Sequence, residues 1–195
     1  LGPTATGKSS LGLAIARRFG GEIVNCDSTA VYRGFDIGTD KLAPDAQQGV
    51  PHHLVDIVEP EGGYTAARYA ADAAAVIRDV HGRGRLPVVV GGSGLYYRAL
   101  TRGLFPGPPA DPALRARLEL VADRKGNQWL HRLLQRRDPG SAVRIAAADR
   151  KRMIRAVEVL LLTGRPLTAH FAGTIAPLPE FEAIGVALEM PLDLL

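Results

Sequence analysis

Residues 2–9, Gly-Pro-Thr-Ala-Thr-Gly-Lys-Ser, match the phosphate-binding loop pattern in full. The glycines let the backbone turn tightly, so that its N–H groups point at anionic oxygens. A helix beginning near Lys8 adds its N-terminal donors, Lys8 adds a positive charge, and the Ser9 hydroxyl suits Mg²⁺. We therefore expect a diphosphate or triphosphate to be bound by Gly2, Pro3, Thr4, Ala5, Thr6, Gly7, Lys8 and Ser9. Kinases, NTPases and transferases with a diphosphate leaving group all use such a loop, so it leaves the reaction open.

The loop opens a stretch of alternating helix and strand signals. Leu11, Ile15 and Phe19 recur at helical spacing and predict the buried stripe of a helix that ends at Gly20. Residues 22–27 then form an apolar run with polar residues at its end, which predicts a strand that places Asp27 at the ligand-binding edge of a sheet.

The same alternation continues up to residue 100. Thr65 is a plausible N-cap for a helix whose buried face carries Tyr69, Ala73, Val76 or Ile77, and Val80. The β-branched run at 87–90 predicts a buried parallel strand, and a further helix begins near Leu95. This order predicts an α/β fold with a P-loop NTPase-like parallel sheet core.

The second half of the chain has a different character. Asp111 and Pro112 form a helix start, residues 127–137 predict a second helix, and Asp149 caps a third that ends at Gly164. We therefore predict three segments: a P-loop core at 1–106, a helical insertion at 107–172, and a return to the core at 173–195 through a strand at 181–188.

Composition narrows the class of protein. The chain has 195 residues, 46% hydrophobic and 23% charged, with a single cysteine and a net charge of +4. No apolar run is long enough to span a bilayer, and one cysteine fits a reducing cytoplasm. Since the chain starts directly at the loop, without Met, we expect it to be a piece of a longer protein.

The two halves of the chain differ in net charge. Residues 111–170 contain thirteen Lys or Arg and six Asp or Glu, a balance of +7, which leaves −3 for the rest. Arg150, Lys151, Arg152 and Arg155 cluster at the start of the third helix. Such a cluster is either a solvated helix face or a nucleic-acid contact. Because the positive charge is concentrated in one half of the chain, the two interpretations have about equal support.

Taken together, the motifs resemble the tRNA dimethylallyltransferases, the bacterial tRNA isopentenyltransferase family. The matching stretches are GPTATGKS at 2–9, NCDSTAVYRGFDIGT at 25–39, PHHLVDI at 51–57, VGGSGLYYRAL at 90–100, ADPALRARLE at 110–119 and DRKRMIRAVEVLLLTGRPL at 149–167. The resemblance implies a cytoplasmic, monomeric, Mg²⁺-dependent enzyme. It would transfer a dimethylallyl group from dimethylallyl diphosphate to the exocyclic amine of the adenosine 3′ of the anticodon. The helical insertion would grip the tRNA anticodon stem-loop.

The resemblance also implies roles for individual residues. Asp27 would be the general base at the amine, and Ser93 would contact the tRNA near the reacting amine. The tRNA would further contact Asp27, Ser28, Thr29, Ala30, Arg115, Lys151, Arg152, Met153, Ile154 and Arg155. Position 30 departs from the family, because many relatives carry Gln where this chain has Ala30.

Other interpretations stay open from the residues alone. If Asp27 is not the general base, it caps a helix or lies near a bound Mg²⁺ without coordinating it directly. Asp36 and Thr39 either line the substrate site or form turns. A small-molecule or nucleotide kinase would need an acidic residue at the end of the strand at 87–90, which instead runs into Gly91-Gly92-Ser93-Gly94. A non-catalytic RNA-binding module and an adenylate isopentenyltransferase are further alternatives. The adjacent His52 and His53 favour a structural role over a metal site.

Overall fold

A computed structural model describes residues 1–2, 6–39 and 41–189 of the chain. Pro3, Thr4 and Ala5 of the predicted phosphate loop lie outside these residues. The elements, in chain order, are α1 (Lys8–Phe19), β1 (Glu22–Asn25), β2 (His52–His53), α2 (Ala66–Gly82), β3 (Pro87–Val90), α3 (Gly94–Arg102), α4 (Pro112–Lys125), α5 (Asn127–Arg137), α6 (Pro139–Arg144), α7 (Arg150–Thr163), α8 (Leu167–His170) and a 3₁₀ turn (Phe171–Gly173). Within the described ranges, no helix has the length and apolar character needed to cross a membrane.

The chain divides into two compact units. Leu1–Gly103 together with Ile175–Leu195 form the sheet unit, and Leu104–Thr174 form the helical unit. The boundaries predicted at 106/107 and 172/173 fall within three residues of these divisions.

The sheet unit is organised around three parallel strands in the order β2-β1-β3. Ile23 pairs with His52 on one side and with Val88 on the other, which leaves β1 in the centre. All four residues of β1 are buried, as expected for a parallel strand covered on both faces. The predicted α/β class with a parallel sheet core is confirmed.

Helix α1 follows the phosphate loop but packs through a different face from the predicted one. Its buried residues are Gly12, Leu13 and Ala16, whereas Leu11 and Phe19 are 38% and 64% exposed. A Cβ at Gly12 would lie 2.5 Å from Val90 Cγ2. The predicted stripe of Leu11, Ile15 and Phe19 is therefore wrong, because small residues let the helix approach the sheet closely.

Helix α2 begins and packs as its sequence predicts. The Thr65 side chain accepts a hydrogen bond from the Arg68 amide, which satisfies one of the free donors of the first turn. Tyr69, Ala73, Ile77 and Val80 are all buried. Of the two candidates for this stripe, Ile77 is the buried one, because it lies on the same face as Tyr69 and Ala73.

The segment 181–188 is not a regular strand, contrary to the prediction. Its side chains are largely exposed, with Ile184 at 94% and Val186 at 52%. The Leu1 amine donates to the Val186 carbonyl at 2.9 Å, and the Leu188 amide donates to the Leu1 carbonyl at 2.7 Å. This is the hydrogen-bond pattern of a parallel pair, limited here to Leu1, so among the described residues no strand pairs with most of the segment.

The helical unit has a core of its own. The Asp111 side chain accepts from the Leu114 amide, and the Asp149 side chain accepts from the Arg152 amide, so both predicted caps are confirmed. The buried side chains come from α4 to α8, and those with no exposed surface are Ala122, Leu130, Leu134, Met153, Ala156, Val157 and Val159. Leu161, near the end of α7, is 57% exposed.

Candidate functional site

Asp27 follows the carboxyl end of β1 and is held there by its neighbours. Asn25 Oδ1 accepts from the Asp27 amide at 3.0 Å. Asp27 Oδ1 accepts from the amide and the hydroxyl of Thr29, at 2.8 and 2.6 Å. No described residue donates to Oδ2. One carboxylate oxygen therefore fixes the turn after β1, while the other is not used by it.

Ser93 joins the ends of the two longer strands. Its amide donates to the Cys26 carbonyl at 3.0 Å. Its Oγ accepts from the Ser28 amide at 2.8 Å and donates to Ser28 Oγ at 3.1 Å. Although Ser93 precedes α3, its hydroxyl does not cap that helix. The predicted site residues Asp27, Ser28 and Ser93 thus lie together at one edge of the sheet.

The phosphate-loop residues that the structure describes lie at the start of α1. Gly7 is the N-cap and has φ +78°, a left-handed conformation that an L side chain rarely adopts. Lys8 runs past the turn after β3, because a Cβ placed on Gly92 would lie 4.0 Å from Lys8 Cε. The helix dipole and the Lys8 charge therefore both favour an anion here.

One cavity of the sheet unit brings these groups together. It is lined by Lys8 and Ser9 from the start of α1, by Asp27 after β1, and by Gly91 after β3. Its remaining walls come from the three strands and from the loops after β1 and β2, chiefly Ile23, Asn25, Ala30, Gly38, Thr39, Lys41, Leu42, Gln47, His52, Val55 and Val90. The lining therefore combines a cationic and a hydroxyl group at the start of α1 with aliphatic side chains from the strands and loops.

The two adjacent histidines have protein partners in the sheet unit. His52 Nδ1 lies 2.8 Å from the Val50 carbonyl, and His53 Nε2 lies 2.7 Å from Glu22 Oε2. Arg83 also binds Glu22, and these contacts hold the pKa of the Glu22 carboxyl at about 2. In the described part of the chain, no group of three His, Cys, Asp or Glu residues is arranged to hold a metal ion.

In the helical unit, two of the predicted tRNA-binding arginines share one buried carboxylate. Glu158 has a fully buried side chain and accepts two hydrogen bonds from Arg115, both at 2.9 Å. Arg155 Nη1 donates to it at 2.7 Å, and the Asp111 amide at 2.8 Å. Arg155 also donates to the Pro108 carbonyl. Arg115 and Arg155 therefore organise the unit, and only their remaining N–H groups face outward.

The other predicted tRNA contacts on α7 differ in exposure. Lys151 is exposed, and the Arg152 side chain is 77% exposed, with a 3.3 Å contact to Asp149. Met153 and Ile154 are 0% and 3% exposed, so their side chains belong to the core of the helical unit. Ala30 in the sheet unit is 6% exposed and lines the cavity. Outward charge on α7 therefore comes mainly from Lys151 and Arg152.

Sequence reasoning missed Glu158 and Lys41. Glu158 is an acidic residue between the buried Val157 and Val159, and only this apolar context in the sequence indicates that it is buried. Burial opposes its charge, but the hydrogen bonds from Arg115, Arg155 and Asp111 outweigh this and lower its pKa to about 2.

Glu158 should make the stability of the helical unit depend on pH. Because its folded-state pKa lies below the ordinary value of 4.5, its contribution is present above about pH 4.5 and is lost as the pH falls towards 2. We expect a loss of at most about 3 kcal/mol over this window. Denaturant unfolding as a function of pH checks this: Glu158→Gln should flatten the acid limb. The exposed-carboxylate control Glu61→Gln should keep it, and an unchanged limb in Glu158→Gln would contradict the prediction.

The chain is similar in sequence to a known family. The family model described as IPP transferase matches residues 30–195. The chain is 47% identical over 189 residues to a tRNA dimethylallyltransferase of Koribacter versatilis, covering 97% of this chain and 62% of that protein. It is 54% identical over 168 residues to the one from Halorhodospira halophila, covering 86% and 54%. The chain thus spans somewhat more than half the length of these relatives.

Solved structures are similar as well. A tRNA isopentenylpyrophosphate transferase from Bacillus halodurans superposes with a TM-score of 0.54 at 42% identity, covering 85% of this chain and 55% of that one. A eukaryotic dimethylallyltransferase acting on tRNA gives a TM-score of 0.73 at 28% identity, covering 90% and 44%. With a family match over most of its length and similar relatives in both comparisons, the chain belongs to the IPP transferase family.

Proposed function

We propose that this chain forms the donor site and part of the tRNA site of a tRNA dimethylallyltransferase. The enzyme would move a dimethylallyl group from dimethylallyl diphosphate to the exocyclic amine of the adenosine 3′ of the anticodon. The observation that carries the proposal is the cavity in which Lys8 and Ser9 lie with Asp27. Relatives that carry this name cover nearly the whole chain. A kinase is less well supported, because no acidic residue follows β3.

The cavity supports a direct displacement at carbon. The bond between the allylic C1 and the diphosphate oxygen breaks, and its electron pair leaves with the diphosphate. Lys8 and the N-terminal donors of α1 stabilise that charge. The amine nitrogen forms the new bond to C1 and passes its proton to Asp27 Oδ2, while Thr29 holds Oδ1 in place.

A divalent ion fits this donor set. Mg²⁺ is usually held by one or two protein oxygens together with substrate phosphates and water. Ser9 Oγ at the start of α1 would be its protein ligand. When bound, Mg²⁺ would neutralise charge on the departing diphosphate.

The helical unit supports tRNA as the acceptor rather than a free nucleotide. Its +7 charge balance and the exposed Lys151 and Arg152 suit a polyanion. We propose that Ser28, Thr29 and Ser93 lie near the acceptor adenosine, and that Arg115 and Arg155 contribute through the N–H groups that Glu158 does not use. A tRNA substrate would make the enzyme cytoplasmic. We also expect it to act as a monomer.

The direct test is the reaction itself. The full-length protein is incubated with dimethylallyl diphosphate, Mg²⁺ and unmodified tRNA, and the tRNA is digested and analysed for isopentenyl-adenosine. Free AMP as the only acceptor would instead indicate an adenylate isopentenyltransferase. Modification of neither would contradict the proposal.

Replacing Lys8 should weaken the binding of the donor and leave tRNA binding nearly intact. We expect Lys8→Ala to cost about 1.5–3 kcal/mol in donor affinity, the range for a lost charge-assisted hydrogen bond. Calorimetry with dimethylallyl diphosphate gives the affinity, and filter binding gives that for tRNA. Arg18→Ala, an exposed cation at the far end of α1, is the matched control. Wild-type donor affinity in Lys8→Ala would remove Lys8 from the site.

Arg152 should contribute one phosphate contact to tRNA binding. We expect Arg152→Ala to reduce the slope of log K against log salt by about one. Its side chain is exposed and its single ion pair is long, so folding should be unaffected. Arg155→Ala, by contrast, should lower stability because it removes a partner of Glu158. Filter binding across salt concentrations measures the slope, and an unchanged slope would mean that Arg152 only faces solvent.

A further inference from the structure

Lys41 is a buried cation in the wall of the cavity, and its ammonium group is fully engaged. Its side chain is 6% exposed. Nζ donates to the Tyr32 carbonyl at 2.5 Å, to Asp56 Oδ1 at 2.6 Å and to Asp36 Oδ1 at 3.2 Å. An ammonium has three N–H donors, so none is left for a phosphate oxygen. Burial opposes the charge, but Asp56 and Asp36 outweigh this and raise the pKa of Lys41.

The partners of Lys41 belong to two segments that border the reaction site. Tyr32 accepts through its carbonyl and follows closely the turn that Asp27 and Thr29 form. Asp56 donates its amide to the Ala30 carbonyl at 3.1 Å. Asp56 has φ +55°, a left-handed conformation that non-glycine residues rarely adopt. The ion pair with Lys41 helps to hold this strained turn in place.

The loop that carries Lys41 supplies part of the cavity wall. Gly38, Thr39 and Leu42 line it together with the residues at the start of α1. Because Lys41 ties this loop to both Tyr32 and Asp56, it fixes the distance between that wall and the segment that follows Asp27.

We propose that Lys41 is a positioning residue: its bonds to Asp56 and Tyr32 hold the loop wall at the separation that the prenyl diphosphate donor requires. The inference rests on the proposed function. Lys41 acts through the loop and does not itself bind the diphosphate, in contrast to Lys8.

The experiment compares four variants of the full-length protein: Lys41→Met, Asp56→Asn, Asp36→Asn and the double variant Lys41→Met/Asp56→Asn. Steady-state kinetics give KM for dimethylallyl diphosphate, KM for tRNA, and kcat. We expect Lys41→Met and Asp56→Asn each to raise the donor KM about tenfold or more, with kcat and the tRNA KM nearly unchanged. The donor KM of the double variant should rise by less than the product of the two single effects, because both substitutions remove the same Lys41–Asp56 interaction. Asp36, whose side chain is 72% exposed, is the control, and Asp36→Asn should change the donor KM less than about twofold.

Asp56→Asn separates positioning from direct binding. If Lys41 bound the diphosphate, removing its carboxylate partner would leave its charge available and donor affinity would be kept or improved. That result overturns the proposal, as does an unchanged donor KM in Lys41→Met or a loss confined to kcat or to the tRNA KM. Should Lys41→Met fail to fold, Asp56→Asn, which keeps the lysine, decides the question.

A second measurement does not depend on the transfer reaction. Hydrogen exchange should show faster exchange of the amides in residues 33–42 of Lys41→Met, with exchange in the helical unit unchanged. Binding of inorganic pyrophosphate by calorimetry should weaken as the donor KM rises. If the wild-type protein transfers no prenyl group, the proposed function fails, whereas the effect of Lys41 on loop order is still decided. Unchanged exchange of the amides in residues 33–42 would contradict the positioning role of Lys41.

Discussion

Asp27→Asn should slow prenyl transfer by about 10²–10⁴-fold, the range expected when a general base is lost. Asparagine keeps an oxygen that accepts from the Thr29 amide and hydroxyl, so the turn after β1 should persist. It cannot take the proton from the adenosine amine, however. Single-turnover transfer with donor and tRNA both saturating separates this chemical step from binding.

The matched control for Asp27→Asn is Asp45→Asn, an exposed carboxylate in the loop between β1 and β2. It should transfer at the wild-type rate. A near wild-type rate in Asp27→Asn would show that another group or solvent accepts the proton. If the variant fails to bind tRNA, Asp27 instead helps to recognise the base.

Gly91→Ala should be among the most damaging single-methyl substitutions in the sheet unit. A Cβ at this position would lie 2.2 Å from both the carbonyl carbon and the oxygen of Cys26. Since those atoms are backbone, the methyl group must separate the ends of β1 and β3. The same displacement would disturb the hydrogen bond from the Ser93 amide to Cys26. We expect a loss of about 3 kcal/mol or more in unfolding free energy, together with loss of transfer activity.

Gly94→Ala provides the control from the same turn. Nothing lies within 4 Å of a Cβ at Gly94, and the residue begins α3. Its unfolding free energy should therefore change by less than about 0.5 kcal/mol, or rise slightly because alanine favours the helix. Denaturant unfolding of both variants provides the comparison. A Gly91→Ala protein as stable as Gly94→Ala would show that the two strand ends adapt without cost.

The sequence predicts helices and strands well where the pattern of apolar residues within one element determines which side chains are buried. Thr65 and the apolar spacing of α2 predict both the start of that helix and its buried side chains. The β-branched run predicts β3 with its observed bounds, and residues 127–137 predict α5. The capping aspartates Asp111 and Asp149 are similarly recognisable. In each case, the information lies within a few neighbouring residues.

The failures arise where a distant segment decides the outcome. Leu11 and Phe19 have the spacing of a buried face of α1, but the proximity of Val90 selects Gly12 and Ala16. The two-residue strand β2 exists only because β1 lies beside it. The segment 181–188 has strand composition, but among the described residues only Leu1 pairs with it.

The candidate site is predictable in part for the same reason. The phosphate loop and the end of a strand are sequence motifs, so the amino-acid sequence alone identifies Lys8, Ser9 and Asp27. Charge alone points to the basic residues of α7, and the resemblance to a family adds Ser93. The contacts of Lys41 with Asp56 and of Glu158 with Arg115 join residues 15 and 43 positions apart, and no local pattern announces them.

The separate cores of the two units have a consequence for how such a protein changes over generations. The helical core draws its buried residues from 118 to 167, whereas the cluster beneath α1 draws its own from residues before 51. A substitution that alters the outward charges of α7 therefore opens no gap beneath the phosphate loop. Substitutions can therefore accumulate in one unit without repacking the core of the other, so the two units are free to diverge at different rates.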